Sequence, residues 1–337
     1  MNTDSRKGEP DWDIIWKVGS DLPLHQAAAK GKDSDIAFEL LIGEAKINEL
    51  DCHWLTAINW ATRSGAGNVI KLLIEFGADA DLAAVKVLLE NGYSINLSDK
   101  ERRSPLLQAV RQGDREMVRL LLENGADVNI APLPWRSGGP GRTPLLRALR
   151  NGDEDIALLL LEYGADVHAW DSNSWSALHY AAWQGLSDIA RALLDHGADV
   201  EFITRHGWTP LGVAILRGHL NLMRLFVARD AYVIALPRGV MSYASVAVRT
   251  KNYKVLDEFA RLADVLDTDT PDRYGWTPLE LAASRGDERM TEILLEEAAD
   301  PDKPGRRGLN ARFWAERNGH WHIVALFDEK ERERCDE

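Results

Sequence analysis

Apolar positions along this chain fall into short blocks separated by Gly, Asn and Asp, and the blocks alternate between two kinds. The first kind opens on Thr or Ser, as in TPLGVAILRG from Thr209, and closes on Gly or a close substitute. A Thr or Ser at that place accepts a hydrogen bond from a free N–H of a first helical turn, and a following Pro fits because its missing donor is not needed there. The closing Gly218 takes a left-handed conformation at little cost, so the block predicts a short helix. The second kind is one apolar stripe, as in Met117, Val118, Leu120, Leu121 and Leu122, followed by Gly-Ala-Asp. That pattern predicts a second amphipathic helix and an exit turn.

The pair of blocks recurs. LPLHQAAAKG at Leu22, TAINWATRSG at Thr56, SPLLQAVRQG at Ser104, TPLLRALRNG at Thr143 and SALHYAAWQG at Ser176 are versions of one phrase. TPLGVAILRG at Thr209, SYASVAVRTK at Ser242, TPLELAASRG at Thr277 and NARFWAERNG at Asn310 continue it. The starts are 34, 48, 39, 33, 33, 33, 35 and 33 residues apart. A second phrase closes most units: IEFGADAD, LLENGADVN, LLEYGADVH, LLDHGADVE and LLEEAADPD. One two-helix layer cannot bury its stripe alone, but a stack can.

On these two anchor phrases the chain resembles the ankyrin-repeat family over roughly residues 20–328. The resemblance implies an all-α solenoid of about nine full helix-turn-helix repeats plus one half-repeat, with extended inter-repeat fingers. It also implies that first helices line a concave side and that His25 and His179, at the fourth place of the phrase, tie adjacent loops together. His219 and His320, after the helix-ending Gly, are read as structural as well.

Departures from the period set the expected organisation. Residues 1–19 form a polar segment whose Ile14, Ile15 and Trp16 cap the first layer, and 20–81 hold two repeats. Residues 82–97, LAAVKVLLENGYSIN and its end, read as a second helix lacking its first, either a native notch or a segment lost from the gene prediction. Repeats resume over 98–328, lengthened by a Pro- and Gly-rich finger at 130–142 that carries Trp135 and Arg136. That finger is either a tolerated surface insertion or a recognition loop. Residues 329–337 are a charged tail.

Composition narrows the function. The chain has 53 Asp plus Glu against 40 Lys plus Arg, a net charge of −13, so as a whole it repels a polyphosphate, and direct DNA binding is disfavoured. Two cysteines, Cys52 and Cys335, cannot make a disulfide framework and suit a reducing compartment, cytoplasmic or nuclear. The polar N-terminus and short aliphatic runs argue against a signal peptide or membrane span. No GxSxG, P-loop, HExxH or paired CxxC is present, and the histidines are scattered, so no catalytic, metal or cofactor site is expected. His320 and His322 are expected to point apart as i, i+2 neighbours on a helix.

A binding face is the sharper inference. The residues one or two places before the Gly, or its substitute, that ends each first helix are Lys30, Arg63, Arg111, Arg150, Trp183, Arg217, Arg249, Arg285 and Arg317. At roughly ten ångströms per layer those cations would form an electropositive track, with Trp183 as an aromatic anchor within it. The plainer reading is that cations favour helix C-terminal turns through the macrodipole and are merely solvated. At the finger edge, Trp175, Trp208 and Trp276 precede the opening Ser or Thr and either pack between fingers or meet a partner.

The sequence therefore predicts a non-enzymatic interaction adaptor or scaffold that holds an acidic or mixed protein segment on Arg111, Arg150, Trp183, Arg217, Arg249, Trp135, Trp175, Trp208 and Trp276. A transcriptional co-regulator and a ubiquitin-ligase substrate adaptor both fit by analogy alone. The alternatives are binding of a phosphorylated small molecule or single-stranded nucleic acid, or an enzyme with an unfamiliar site near the half-repeat.

Overall fold

The computed structural model describes residues 22–41, 46–52, 55–98, 104–131, 141–232, 242–262, 268–272, 274–305 and 308–336. The expected N-terminal cap (1–19) and Trp135 with Arg136 lie outside them. Among the described residues the regular structure is helical, with a single isolated bridge between Trp170 and Ser176. The chain divides into two compact units, 1–135 with 162–165, and 136–161 with 166–337.

The first unit contains α1 (Pro23–Ala29), α2 (Asp33–Leu41), α3 (Ala57–Ser64), α4 (Gly67–Glu75), α5 (Leu82–Glu90), α6 (Pro105–Gln112) and α7 (Arg115–Glu123). Helix α1 packs on α3 and α2 on α4, the layered order that the repeats predict. The half-repeat is a real helix: Asp81 caps it by accepting the Ala84 N–H at 2.7 Å, and α5 lies against both α3 and α4 through buried Ala84, Val85 and Leu88.

The second unit contains α8 (Pro144–Asn151), α9 (Glu154–Glu162), α10 (Ala177–Gln184), α11 (Ser187–Asp195), α12 (Pro210–Arg217), α13 (Leu220–Val227), α14 (Tyr243–Thr250) and α15 (Tyr253–Leu262). It ends with α16 (Pro278–Arg285), α17 (Glu288–Glu296), α18 (Ala311–Arg317) and α19 (Trp321–Asp336). First helices pack in series, α8 on α10, then α12, α14, α16 and α18, and second helices α11, α13, α15, α17 and α19 do likewise. Between them lie Ala181, Ala182, Leu193, Ala214, Leu222, Met223 and Phe226, all fully buried; each larger side chain contributes roughly 1.5–3 kcal/mol on leaving water.

The caps operate as their residue types dictate. Ser104, Thr143, Thr209, Ser242 and Thr277 each accept an N–H from the third helical residue. Gly113, Gly152, Gly185, Gly218 and Gly286 close the first helices at φ between +70° and +84°. Lys251 takes that place after α14 at φ +54°, and Asp230 and Ala298 replace the glycine of the second-helix exit at φ +65° and +61°. These three accept a left-handed backbone without glycine's freedom.

Neighbouring layers are also joined at the exits. Asn96 Oδ1 accepts the Asp127 N–H at 2.7 Å, Glu201 Oε1 that of Tyr232 at 2.9 Å, and Asp269 Oδ1 that of Asp300 at 3.2 Å. Arg224 of α13 makes a bidentate pair with Glu258 of α15 at 2.7 and 2.8 Å. These recurrent contacts explain why the period is held near one length: a shift of even one residue would break the register of a whole layer.

Candidate partner-binding site

Three fingers of the second unit turn on a polar residue five places before the opening Ser or Thr. Asp171 Oδ1 accepts the N–H groups of Asn173 and Trp175 at 2.8 and 3.1 Å, and Asp272 does the same for Tyr274 and Trp276 at 2.8 and 3.0 Å. Thr204 uses its hydroxyl for the Trp208 N–H at 3.0 Å. In the first unit Asp51 holds the Leu55 N–H at 3.0 Å and the Trp60 indole N–H at 2.8 Å. Sequence reasoning missed this latch, although its spacing, Asp51 to Thr56, Asp171 to Ser176 and Asp272 to Thr277, could have revealed it.

At Asp171 the latch grows into a site. Tyr180 donates its hydroxyl to Asp171 Oδ2 at 2.7 Å, Arg142 Nη2 lies 3.1 Å from the same oxygen, and Arg142 Nε donates to the Tyr180 oxygen at 3.0 Å. Burial alone would raise the Asp171 pKa, yet the Tyr180 hydroxyl, the two backbone N–H groups and Arg142 outweigh it and hold the carboxyl below its ordinary value. Burial pushes the Tyr180 phenol up to about 12, with Asp171 adding to the rise against Arg142.

In front of this triad opens a cleft of about 260 Å³ lined by Arg142, Arg150, Asn173, Trp175, Tyr180, Trp183 and Gln184. Trp175 packs against Tyr180 with ring centres 5.2 Å apart and meets Trp183 edge-on at 5.7 Å. Trp183 is 37% exposed and carries the Arg217 guanidinium at 4.4 Å from its ring centre. Of the residues singled out from sequence, the fold thus gathers Arg150, Trp175, Trp183 and Arg217; Arg142, Asp171, Asn173, Tyr180 and Gln184 join them without having been anticipated.

The cation column is not uniform. Arg217 Nε donates to the Trp183 carbonyl at 3.3 Å and Arg285 Nη1 to the Val248 carbonyl at 3.2 Å, so both cap the open end of the preceding first helix. Arg249 is only 30% exposed and ion-pairs with the fully buried Asp272. Arg317 lies over the Trp314 ring at 5.5 Å. Arg150 differs: its side chain is exposed and has no carboxylate partner among the described residues. Arg111 is likewise exposed, in the first unit. Trp208 is half-buried and offers its carbonyl to His179, whereas Trp276 packs at a tilt against Trp314, with ring centres 4.6 Å apart.

His179 illustrates how a reactive-looking pair is spent on structure. Its Nε2–H donates to the Trp208 carbonyl at 2.9 Å, while Nδ1 accepts from Ser176 Oγ at 2.8 Å. Both residues are buried, and burial lowers the His179 pKa to about 4 against the opposing pull of Trp208 and Asp171, so the ring is a neutral tie between fingers. His25 ties its own unit similarly, at 3.0 and 3.1 Å from the Glu49 and Leu55 carbonyls. His219 packs over Gly185 and His320 over Gly286, where a Cβ would come within 2.8 and 2.7 Å of the rings. The rings of His320 and His322 lie 6.0 Å apart and do not diverge as expected, because His320 precedes the first turn of α19.

At the half-repeat the polar groups are structural too: Asp81 takes the Asn59 amide at 2.7 Å besides capping α5. No cluster of three or more His, Cys, Asp or Glu able to hold a metal occurs among the described residues, and no helix there is long and apolar enough to cross a membrane.

A family model of three ankyrin repeats matches residues 24–132, 79–171 and 168–235, and a single-repeat model matches 274–306. The chain is similar to the potassium channel AKT1 of Oryza sativa, 35% identical over 85 residues, a quarter of this chain and 9% of the channel. It is also similar to the ankyrin repeat protein nuc-2 of Neurospora crassa, 37% identical over 70 residues, 20% of this chain and 7% of that protein. The matched segments thus span less than a tenth of either relative.

Proposed function

Because the chain belongs to the ankyrin-repeat family, whose repeats generally mediate protein–protein interaction, we propose that it is a non-enzymatic adaptor anchoring an acidic or mixed segment of a partner in the Arg150 cleft. The observation that carries the reading is the meeting of Arg150, free of any carboxylate partner among the described residues, with Trp175, Trp183 and the stacked Arg217. Indoles and guanidinium groups are the side chains that most often dominate binding energy. Here the indoles are already held by Tyr180 and Arg217, so little freedom is lost on binding. A transcriptional co-regulator or a ubiquitin-ligase substrate adaptor, in cytoplasm or nucleus, would each use such an anchor.

An affinity pull-down with the intact chain and with Arg150→Glu/Arg217→Glu tests this reading. The double variant is expected to lose the partners that the parent retains, and the parent's capture to weaken as salt rises. Retention of the same partners by both would move the interaction to the finger edge around Trp208 and Trp276.

A further inference from the structure

The proposed adaptor function leaves open what kind of anion the cleft is built for, and its lining chemistry is unusually one-sided. Arg142 and Arg150 contribute guanidinium groups, Asn173 and Gln184 amides, and Trp175 and Trp183 indoles. The neighbouring carboxylate, Asp171, is 1% exposed and has its oxygens taken by two backbone N–H groups, Tyr180 and Arg142. It therefore anchors Arg142 and largely offsets its charge, which leaves Arg150 as the cation of the lining without a carboxylate partner among the described residues. Gln184 spends one amide hydrogen on the Arg150 carbonyl at 2.7 Å and keeps the other.

Resting on the reading of this cleft as a partner anchor, we infer that it receives one phosphorylated side chain of the partner protein. A phosphomonoester carries about −1.5 to −2 charge and three terminal oxygens, and so can satisfy several converging donors where a carboxylate offers two oxygens. Arg150 supplies the planar fork that matches such a group, and Arg142 keeps N–H bonds beyond those given to Tyr180 and Asp171.

Size and spacing choose between phosphate sources. The cleft, of about 260 Å³, lies near the small end of ligand-site sizes and suits one side chain of a longer chain. A nucleic acid strand would present a phosphate at every nucleotide and would need a row of available cations. The column beyond Arg150 is interrupted, since Arg249 is neutralised by Asp272 while Arg217 and Arg285 keep their charge but are each tied to a carbonyl of the preceding layer. A net charge of −13 adds general repulsion, so one local anion site is what remains.

The test is site-resolved. The intact chain, 15N-labelled at tryptophan, is titrated with O-phospho-L-serine, and in parallel with acetate, while the indole signals are followed. Trp175→Phe and Trp183→Phe assign the two cleft signals. Phosphoserine is expected to move both in a saturable way, with acetate at least tenfold weaker. Arg150→Gln is expected to weaken phosphoserine binding about tenfold, the loss of one charge-assisted hydrogen-bonded contact, while Arg191→Gln, an exposed cation on α11, leaves it unchanged. Matching melting curves for Arg150→Gln and the parent exclude misfolding as the cause.

Equal responses to phosphoserine and acetate, an unmoved pair of signals, or undiminished binding by Arg150→Gln would each overturn the inference. If partners are lost in the Arg150→Glu/Arg217→Glu pull-down while phosphoserine does not bind, the phosphate reading fails and the adaptor reading stands.

Discussion

Replacing Asp171 by Asn probes the latch on which the cleft is built. The amide keeps an oxygen for the Asn173 and Trp175 N–H groups, but turns an NH2 toward Tyr180 and Arg142, which both need an acceptor. Each charge-assisted bond lost in a buried setting costs about 1.5–3 kcal/mol. Arg142 is 26% exposed, so water partly compensates its loss, and the expected total is about 2–4 kcal/mol. The pH dependence has a definite sign. The folded pKa of Asp171 lies below its ordinary value of 3.8, so its contribution is complete above that value and disappears as pH falls through the folded pKa. Urea titrations of parent and Asp171→Asn should therefore differ at pH 7, and the gap should narrow progressively as pH falls below the ordinary carboxyl value of 3.8. Comparable stabilities at pH 7, within about 0.5 kcal/mol, would refute the account, as would a difference that ignores pH.

Two further expectations concern the frame. His179 is neutral when folded, with a pKa of about 4 against 6.5 unfolded, so the unfolded chain binds more protons between these values. Falling pH should cost stability through that window, by about 3 kcal/mol in all, and the parent's advantage over His179→Gln in urea midpoints should shrink accordingly; a constant gap would contradict the neutral tie. Ala298 holds φ +61° while exposed, so Ala298→Gly should relieve roughly 1–2 kcal/mol of left-handed strain against about 0.5–1 kcal/mol of added chain entropy. A small rise in melting temperature is expected, and a fall would mean that the methyl group makes a contact of its own.

What could be read in the residues was whatever repeats at a fixed spacing. Thr209-Pro210 and Gly218 announce the two ends of α12 because capping is a local matter of one side chain and one backbone turn. The column of cations was equally legible as a row of letters. What each cation does was not, because it depends on which group of a neighbouring layer lies within reach. Arg249 finds Asp272, 23 residues on, and Arg217 reaches back 34 residues to the Trp183 carbonyl. Arg142 looked like the tail of a Pro- and Gly-rich finger, and only the fold brings it to Tyr180, 38 residues away.

The cleft arises where one layer delegates a structural task. Every first helix ends with carbonyls that lack helical partners, and in several layers the next layer supplies a donor. Arg217 and Arg285 do this from within the column. At the layer of α10 the donor at that same place is Gln184, and at the layer of α18 it is Asn318, which bonds the Ser284 carbonyl. Gln184 thus takes the place that Arg217 and Arg285 hold in their layers, and Trp183 stands one residue earlier, where the preceding layer carries Arg150. Trp183 leans its edge on Trp175 and takes Arg217 on its ring, while Arg150 lacks the acceptors that occupy Arg217, Arg249 and Arg285. A Gln184→Arg/Trp183→Ala chain would restore the plain cationic pattern and keep the carbonyl capped. Its stability should fall only by what the partly exposed indole contributes through Trp175 and Arg217, while its binding is lost, which separates what the layer needs to stack from what it needs to hold a partner.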